Sequence, residues 1–250
     1  MRCSVTAQNT RPTFTLSRTK STPVHHHDLD QAIEGITIDN AQPWGHRSSM
    51  TRTAHVLLID QVADWEAGHL LAELNTGRFI SEPWKVVSVA ATDQPVSTMG
   101  GLKWLPDITI DDLDPTQSDL LIMPGGVGWQ PGKEEPFVAT AQQFLDAGVP
   151  VAAICGATEA LARAGLLDNR PHTAAAKEAL EATGYKGGDH YLDQRAVADG
   201  GLVTAGPQSP VQFARATLGM LGLMSDEVLE AYEALFHRGD PSAFPVLMSI

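Results

Sequence analysis

The residues from His55 onward predict a doubly wound α/β sandwich: a mostly parallel sheet with helices on both faces. Short β-rich runs alternate with helical stretches, which is the signature of crossover units around a parallel sheet. Several of those runs are near-continuously apolar, as strands buried on both faces must be. The strands are expected at His55–Ile59, Lys85–Ala90, Asp119–Met123, Val149–Ile154 and Leu202–Ala205. Helical patterns fall between and after them, at Asp64–Asn75, Glu134–Ala147, Thr158–Ala164, Ala174–Ala182, Pro210–Leu223 and Asp226–His237. The stretch Pro95–Asp107, with turn residues around a short apolar segment, reads as a hairpin excursion.

A chain of 250 residues can bury a full core without staples, and no internal repeat is visible. Residues 54–224 form the expected domain, and 225–250 give one helix and a tail packing on it. Residues 1–53 differ in kind. Met1 to His27 carries Arg2, Arg11, Arg18 and Lys20 with no acid, so it reads as a disordered extension or an over-extended frame whose natural start is Met50. An organelle transit peptide is the less favoured reading of the same composition. The run His25-His26-His27 has no scaffold and reads as solvated tail.

Seventeen basic against 30 acidic side chains leave a net charge of −13, which repels phosphate backbones and anionic lipid. No nucleic-acid or membrane partner is expected, since no window approaches the roughly 18 apolar residues of a membrane span. Cys3 and Cys155 are the only cysteines, too few for a disulfide framework or a Cys-rich zinc site. A reducing cytoplasm, no metal and no cofactor are the expectations.

Ligands of such sheets sit beyond the carboxyl ends of the strands. Three strand ends carry unusual residues. In Val151-Ala-Ala-Ile-Cys155-Gly156-Ala157 an apolar strand stops at a cysteine and a helix begins at once, a nucleophile elbow whose small neighbours let the chain fold back. The helix dipole there is expected to lower the thiol pKa. After the first strand, Asp64 is a good N-cap, placing Glu66 in the first helical turn at the same sheet edge, where a carboxylate could share a proton with sulfur. After the middle strand, Met123-Pro-Gly125-Gly126-Val-Gly128 lets backbone amides approach a ligand. With Gly156 and Ala157 they could form an oxyanion hole, but the loop lacks the spacing of a phosphate or dinucleotide loop.

Together these segments resemble the DJ-1/PfpI (ThiJ) superfamily of class I glutamine-amidotransferase-like proteins, in its bacterial amidotransferase-like branch. The resemblance spans roughly His55 to Leu223. It rests on Asp64-Trp-Glu66, Gly100-Gly101-Leu102 with Pro106-Asp107, Leu121-Ile-Met-Pro-Gly-Gly126, the elbow, and Leu202-Val-Thr-Ala-Gly206 leading into Pro210-Val-Gln-Phe-Ala214. It implies a flavodoxin-like, DJ-1/PfpI-type fold, Cys155 as nucleophile, Glu66 as the carboxylate on the sulfur, and Gly125, Gly126 and Gly156 as oxyanion loops. It also implies a homodimer, for which Pro210–Leu223 and Asp226–Phe236 offer apolar surface unless they cover the sheet.

The departure concerns a relay histidine. His172 lies slightly early, and the best alignment puts a small residue near Ala174 where the relay would stand. His172 is retained as the candidate relay, His190 as the alternative base, and His69 is assigned to helix surface or dimer interface. The function implied is a cysteine enzyme, an amidotransferase-like hydrolase or a glyoxalase/deglycase acting on small carbonyl or amide substrates. The competing class is a non-enzymatic oxidative-stress or redox-sensing protein using oxidation of the same cysteine.

Overall fold

A computed structural model describes residues 51–249. The expectations for residues 1–50, including Cys3, the histidine run and the Met50 start, fall outside the described residues. β1 (Thr53–Leu58) leads into α1 (Gly68–Thr76), then β2 (Lys85–Ala90), a β3–β4 hairpin (Val96–Ser97, Lys103–Trp104) and β5 (Ile108–Thr109). The chain continues through β6 (Leu120–Met123), α2 (Glu135–Asp146), β7 (Val151–Ile154), α3 (Gly156–Arg163) and α4 (Lys177–Glu181). It closes with β8 (Ala196–Asp199), β9 (Leu202–Ala205), α5 (Pro210–Met220), α6 (Asp226–Phe236) and α7 (Phe244–Leu247).

The main sheet has the order β5-β2-β1-β6-β7-β9-β8, parallel throughout except for β8, which pairs antiparallel with β9. Because side chains alternate along a strand, each strand feeds two cores. Val56, Ile122, Ile154 and Val203 pack with α1, α5 and α6 on one face. Leu57, Leu121, Ala153 and Leu202 pack with α2 and α3 on the other. The two late helices cover the sheet, with Phe213, Leu218 and Tyr232 fully buried.

Three sequence expectations shift. The first helix starts at Gly68 rather than Asp64, because the Asp64 side chain is used elsewhere: its Oδ2 accepts the Gly100 N–H at 2.6 Å and ties the β3–β4 hairpin to this loop. Helical Ala174–Ala182 shrinks to Lys177–Glu181, since Ala176 is extended (φ −161°, ψ 152°) and Thr173 N–H donates to Thr204 Oγ1 at 2.9 Å. The edge strand β8 and the short β5 were not anticipated.

Candidate active site

Cys155 ends β7 with φ 61° and ψ −128°, a left-handed conformation costly for a side-chain-bearing residue. Its N–H donates to Ala205 O at 2.9 Å and its carbonyl accepts from Thr158 N–H at 2.9 Å, so pairing to β9 and the first turn of α3 together hold the strained bend. Ala153 and Ala157, both fully buried, leave the room this requires. The thiol is half-buried.

Glu66 is 1% exposed and faces the thiol within hydrogen-bond reach. Its Oε2 also accepts the Gly125 N–H at 2.7 Å. A Cβ built on Gly125 would stand 2.9 Å from Cys155 Sγ and collide with Glu66 Oε2, so only glycine lets this loop lie against the pair. Gly125 therefore orients the carboxylate, and its amide is not free for an oxyanion, contrary to the sequence expectation. Gly156 N–H points at the sulfur. Gly126 and the first-turn residue Ala157 remain as oxyanion candidates.

The electrostatics reverse one expectation. Burial, followed by the charge of Glu66 and its hydrogen bond, pushes the Cys155 thiol up to about 12, and Gly156 N–H is the main influence in the other direction. Burial likewise raises Glu66 above the usual carboxylate range, against the opposing hydrogen bonds from Cys155 and Gly125. Burial and the charge of Glu66 together disfavour the thiolate, and burial disfavours the carboxylate.

His172 does not join them. It is fully buried, with Nδ1 2.8 Å from Arg170 O and Nε2 3.2 Å from the Tyr185 hydroxyl, and Tyr185 and Tyr191 pack edge-on to its ring. Both nitrogens are committed, and burial lowers its pKa. These contacts hold the ring in the core. Ala174, the aligned relay position, puts its carbonyl against Gly206 just beyond β9 and offers only a methyl group. His190 is exposed and accepts the His172 N–H through its carbonyl. His69 is half-buried on α1: Nδ1 lies 3.1 Å from Tyr232 Oη, and the ring packs edge-on to Phe236.

Sequence reasoning missed Trp129. Its Nε1 donates to Pro124 O at 2.8 Å, and its Cδ1 would sit 3.2 Å from a Cβ on Gly156, so the indole wedges between the glycine loop and the elbow. An aromatic one step past a glycine run was the available signal. Arg163, at the end of α3, holds the same loop through Glu134, with contacts of 2.6 Å to each carboxylate oxygen.

The DJ-1/PfpI family model matches residues 52–220. This chain belongs to the DJ-1/PfpI family. It is 35% identical over 204 residues to the Uncharacterized protease YoaZ of Bacillus subtilis, covering 80% of this chain and 97% of that one. Over 185 residues it is 36% identical to the Uncharacterized protease YdeA of the same organism, covering 72% and 88%. The crystal structure of a ThiJ/PfpI family protein from Bacillus anthracis superposes with a TM-score of 0.76 at 38% identity, covering 81% of this chain and 98% of that one. Shorter matches include the Deglycase PfpI of Pyrococcus furiosus, 30% identical over 100 residues and covering 40% of this chain and 59% of that one. Among the described residues no helix is long and apolar enough to cross a membrane.

Proposed function

We propose that the protein is a cysteine enzyme that adds Cys155 to the carbonyl carbon of a small aldehyde or dicarbonyl. The observation that carries this reading is the buried Glu66 carboxyl facing the elbow thiol across Gly125, whose backbone amide holds the carboxyl in place. In the step, Glu66 takes the thiol proton as the sulfur–carbon bond forms and the carbonyl π bond opens to an oxyanion. The same proton then passes to that oxygen, giving a hemithioacetal. Gly126 and Ala157 are the amides left to stabilise the oxyanion.

Peptide hydrolysis is the less favoured activity, although two of the relatives reported above carry the name protease. Expelling an amine requires a proton delivered to nitrogen, and His172 has no nitrogen to spare for it. Addition to an aldehyde needs no such acid. The relative named deglycase fits this chemistry. A cytoplasmic location and a homodimer, implied by the resemblance, belong to the same proposal; the second is read directly from the mass in solution.

The test is turnover of a panel of dicarbonyls, amides and peptides by the wild type and Cys155→Ala. Dicarbonyl consumption that disappears in the variant supports the proposal. Undiminished consumption by the variant, or turnover confined to peptides, overturns it.

A further inference from the structure

A second cleft, of about 320 Å³, opens beyond the carboxyl ends of β1, β2 and β6, and neither Cys155 nor Glu66 lines it. Its place in the sheet is distinctive. From β1 the chain moves outward to β2 and β5 on one side and then returns to β6 on the other, so the order of winding reverses between β1 and β6. Open α/β sheets hold ligands at that reversal. Cys155 lies one strand further along, at the end of β7.

The two compartments share a backbone wall. Ala63 N–H donates to Gly125 O at 2.9 Å, Gly128 N–H to Asp60 O at 2.9 Å and Val127 N–H to Gln61 O at 3.3 Å, which pins the loop after β1 to the loop after β6. Glu66 stands on one side of this seam. The cleft lies on the other, with Asp60, Val127 and Gly128 among its walls.

The lining chemistry narrows what would fit. Ile59 and Phe137 give an apolar floor, and Gln94 and Gln130 supply amides at the rim. One charge of each sign is present, Asp60 and Lys133. Both residues are exposed, and among the described residues neither takes part in an ion pair. A net anion would be repelled by a chain of net charge −13, and a net cation would meet Lys133. A molecule carrying both charges and an apolar body offers each of these lining groups a chemically matched partner, and the volume sits at the small end of ligand pockets.

We propose that this cleft binds an α-amino acid zwitterion with an apolar side chain, with Lys133 taking the carboxylate and Asp60 the ammonium group. The proposal goes beyond the reading of Cys155 and does not rest on it.

Calorimetric titration of the full chain with L-phenylalanine tests this, alongside N-acetyl-L-phenylalanine, which lacks the ammonium, and phenethylamine, which lacks the carboxylate. Expected is saturable 1:1 binding in the millimolar range or tighter, weakened about tenfold or more, some 1.4 kcal/mol, by Lys133→Gln or Asp60→Asn and by either truncated ligand. Binding is expected to persist in Cys155→Ala and in protein alkylated at Cys155. Absence of saturable binding to the wild type overturns the proposal, as does equal affinity for a truncated ligand or indifference to both substitutions. Loss of binding in Cys155→Ala also overturns it, by assigning the ligand to the cysteine side of the seam. Because these readouts record binding alone, an inactive Cys155 and an empty cleft give distinguishable results.

Discussion

Glu66 and Glu73 stand seven residues apart, one just before α1 and one within it, and both are buried, 1% and 0% exposed. Their surroundings differ in one respect. Glu73 has a cation: Arg78 Nε reaches its two oxygens at 3.0 and 2.9 Å, Arg78 Nη2 closes on Oε1, and Tyr232 Oη donates to Oε1 at 3.1 Å. The guanidinium is itself held over the rings of Phe79 and Phe236, 4.7 and 5.3 Å from their centroids. Glu66 has no cation, only an amide and a thiol. A buried carboxylate with a matched guanidinium is a fixed charge that joins α1 to α6. A buried carboxyl facing a thiol can be neutralised only by a proton, and a proton is what the proposed chemistry moves.

The largest expected effect separates the two by function. Glu66→Gln keeps the shape and an amide oxygen for Gly125 N–H but cannot take the thiol proton. Dicarbonyl turnover should fall about 10²–10³-fold with the melting temperature unchanged or slightly raised. A near-wild-type kcat/KM in that variant would remove Glu66 from the mechanism. Arg78→Ala should do the opposite. It leaves Glu73 without its cation and, because Arg78 is 45% exposed, should lower stability by about 2–3 kcal/mol in denaturant unfolding rather than the full cost of a wholly buried pair, with kcat little changed. If both variants lost stability and activity alike, the two glutamates would be doing the same job.

The pH dependence sharpens the contrast on the acid and alkaline sides. Glu66 is raised by burial, so its contribution is fully present below the ordinary carboxylate range and is lost as pH rises through its folded value; Glu66→Gln should abolish that decline. Cys155 is pushed from 9.0 up to about 12, so stability should also fall as pH climbs through that window. Discounting for a half-buried thiol, the loss should be about 1 kcal/mol near pH 10, and Cys155→Ala should flatten it. Iodoacetamide gives the chemical counterpart. Removing the Glu66 charge should shift the alkylation profile of Cys155 to lower pH, and an unmoved profile would mean that the two groups are not coupled.

Much of this site was legible in the chain because it is written in local geometry. Val151-Ala-Ala-Ile has to be a buried strand, and Cys155-Gly-Ala after it leaves only a sharp turn into a helix. Gly125 was found for the wrong reason: glycine signals close backbone approach, but not whether its amide faces a substrate or a carboxylate. The thiol pKa went astray similarly, since a helix terminus is visible in sequence and burial beside a second acid is not. β8 escaped notice because Ala196-Val-Ala-Asp is an edge strand with only Val197 buried, too weak an apolar run to register. Ala174–Ala176 reads as helix by propensity, yet Thr204 on β9 fixes the preceding residue in an extended chain, and tertiary pairing prevailed.

His172 is where direction, invisible in sequence, decides function, and it yields the smallest expected effect. Its Nε2 meets Tyr185 Oη at 3.2 Å and its Nδ1 meets Arg170 O, so the ring works as a brace between the 170–173 segment and Tyr185. Tyr185→Phe removes one of these contacts at the half-exposed end of the pair. It should cost under about 1 kcal/mol and leave the pH–rate profile of turnover where it was. Burial lowers the His172 pKa, so its contribution is present above the ordinary value of 6.5 and is lost as pH falls through the folded one. His172→Gln should therefore reduce the acid sensitivity of folding while kcat/KM stays within about twofold, the range of substitutions remote from the reacting atoms. A relay would give the reverse pattern, with an activity limb near neutrality that vanishes in the glutamine variant. Observing that limb would return His172 to the catalytic machinery and reopen peptide hydrolysis as the reaction.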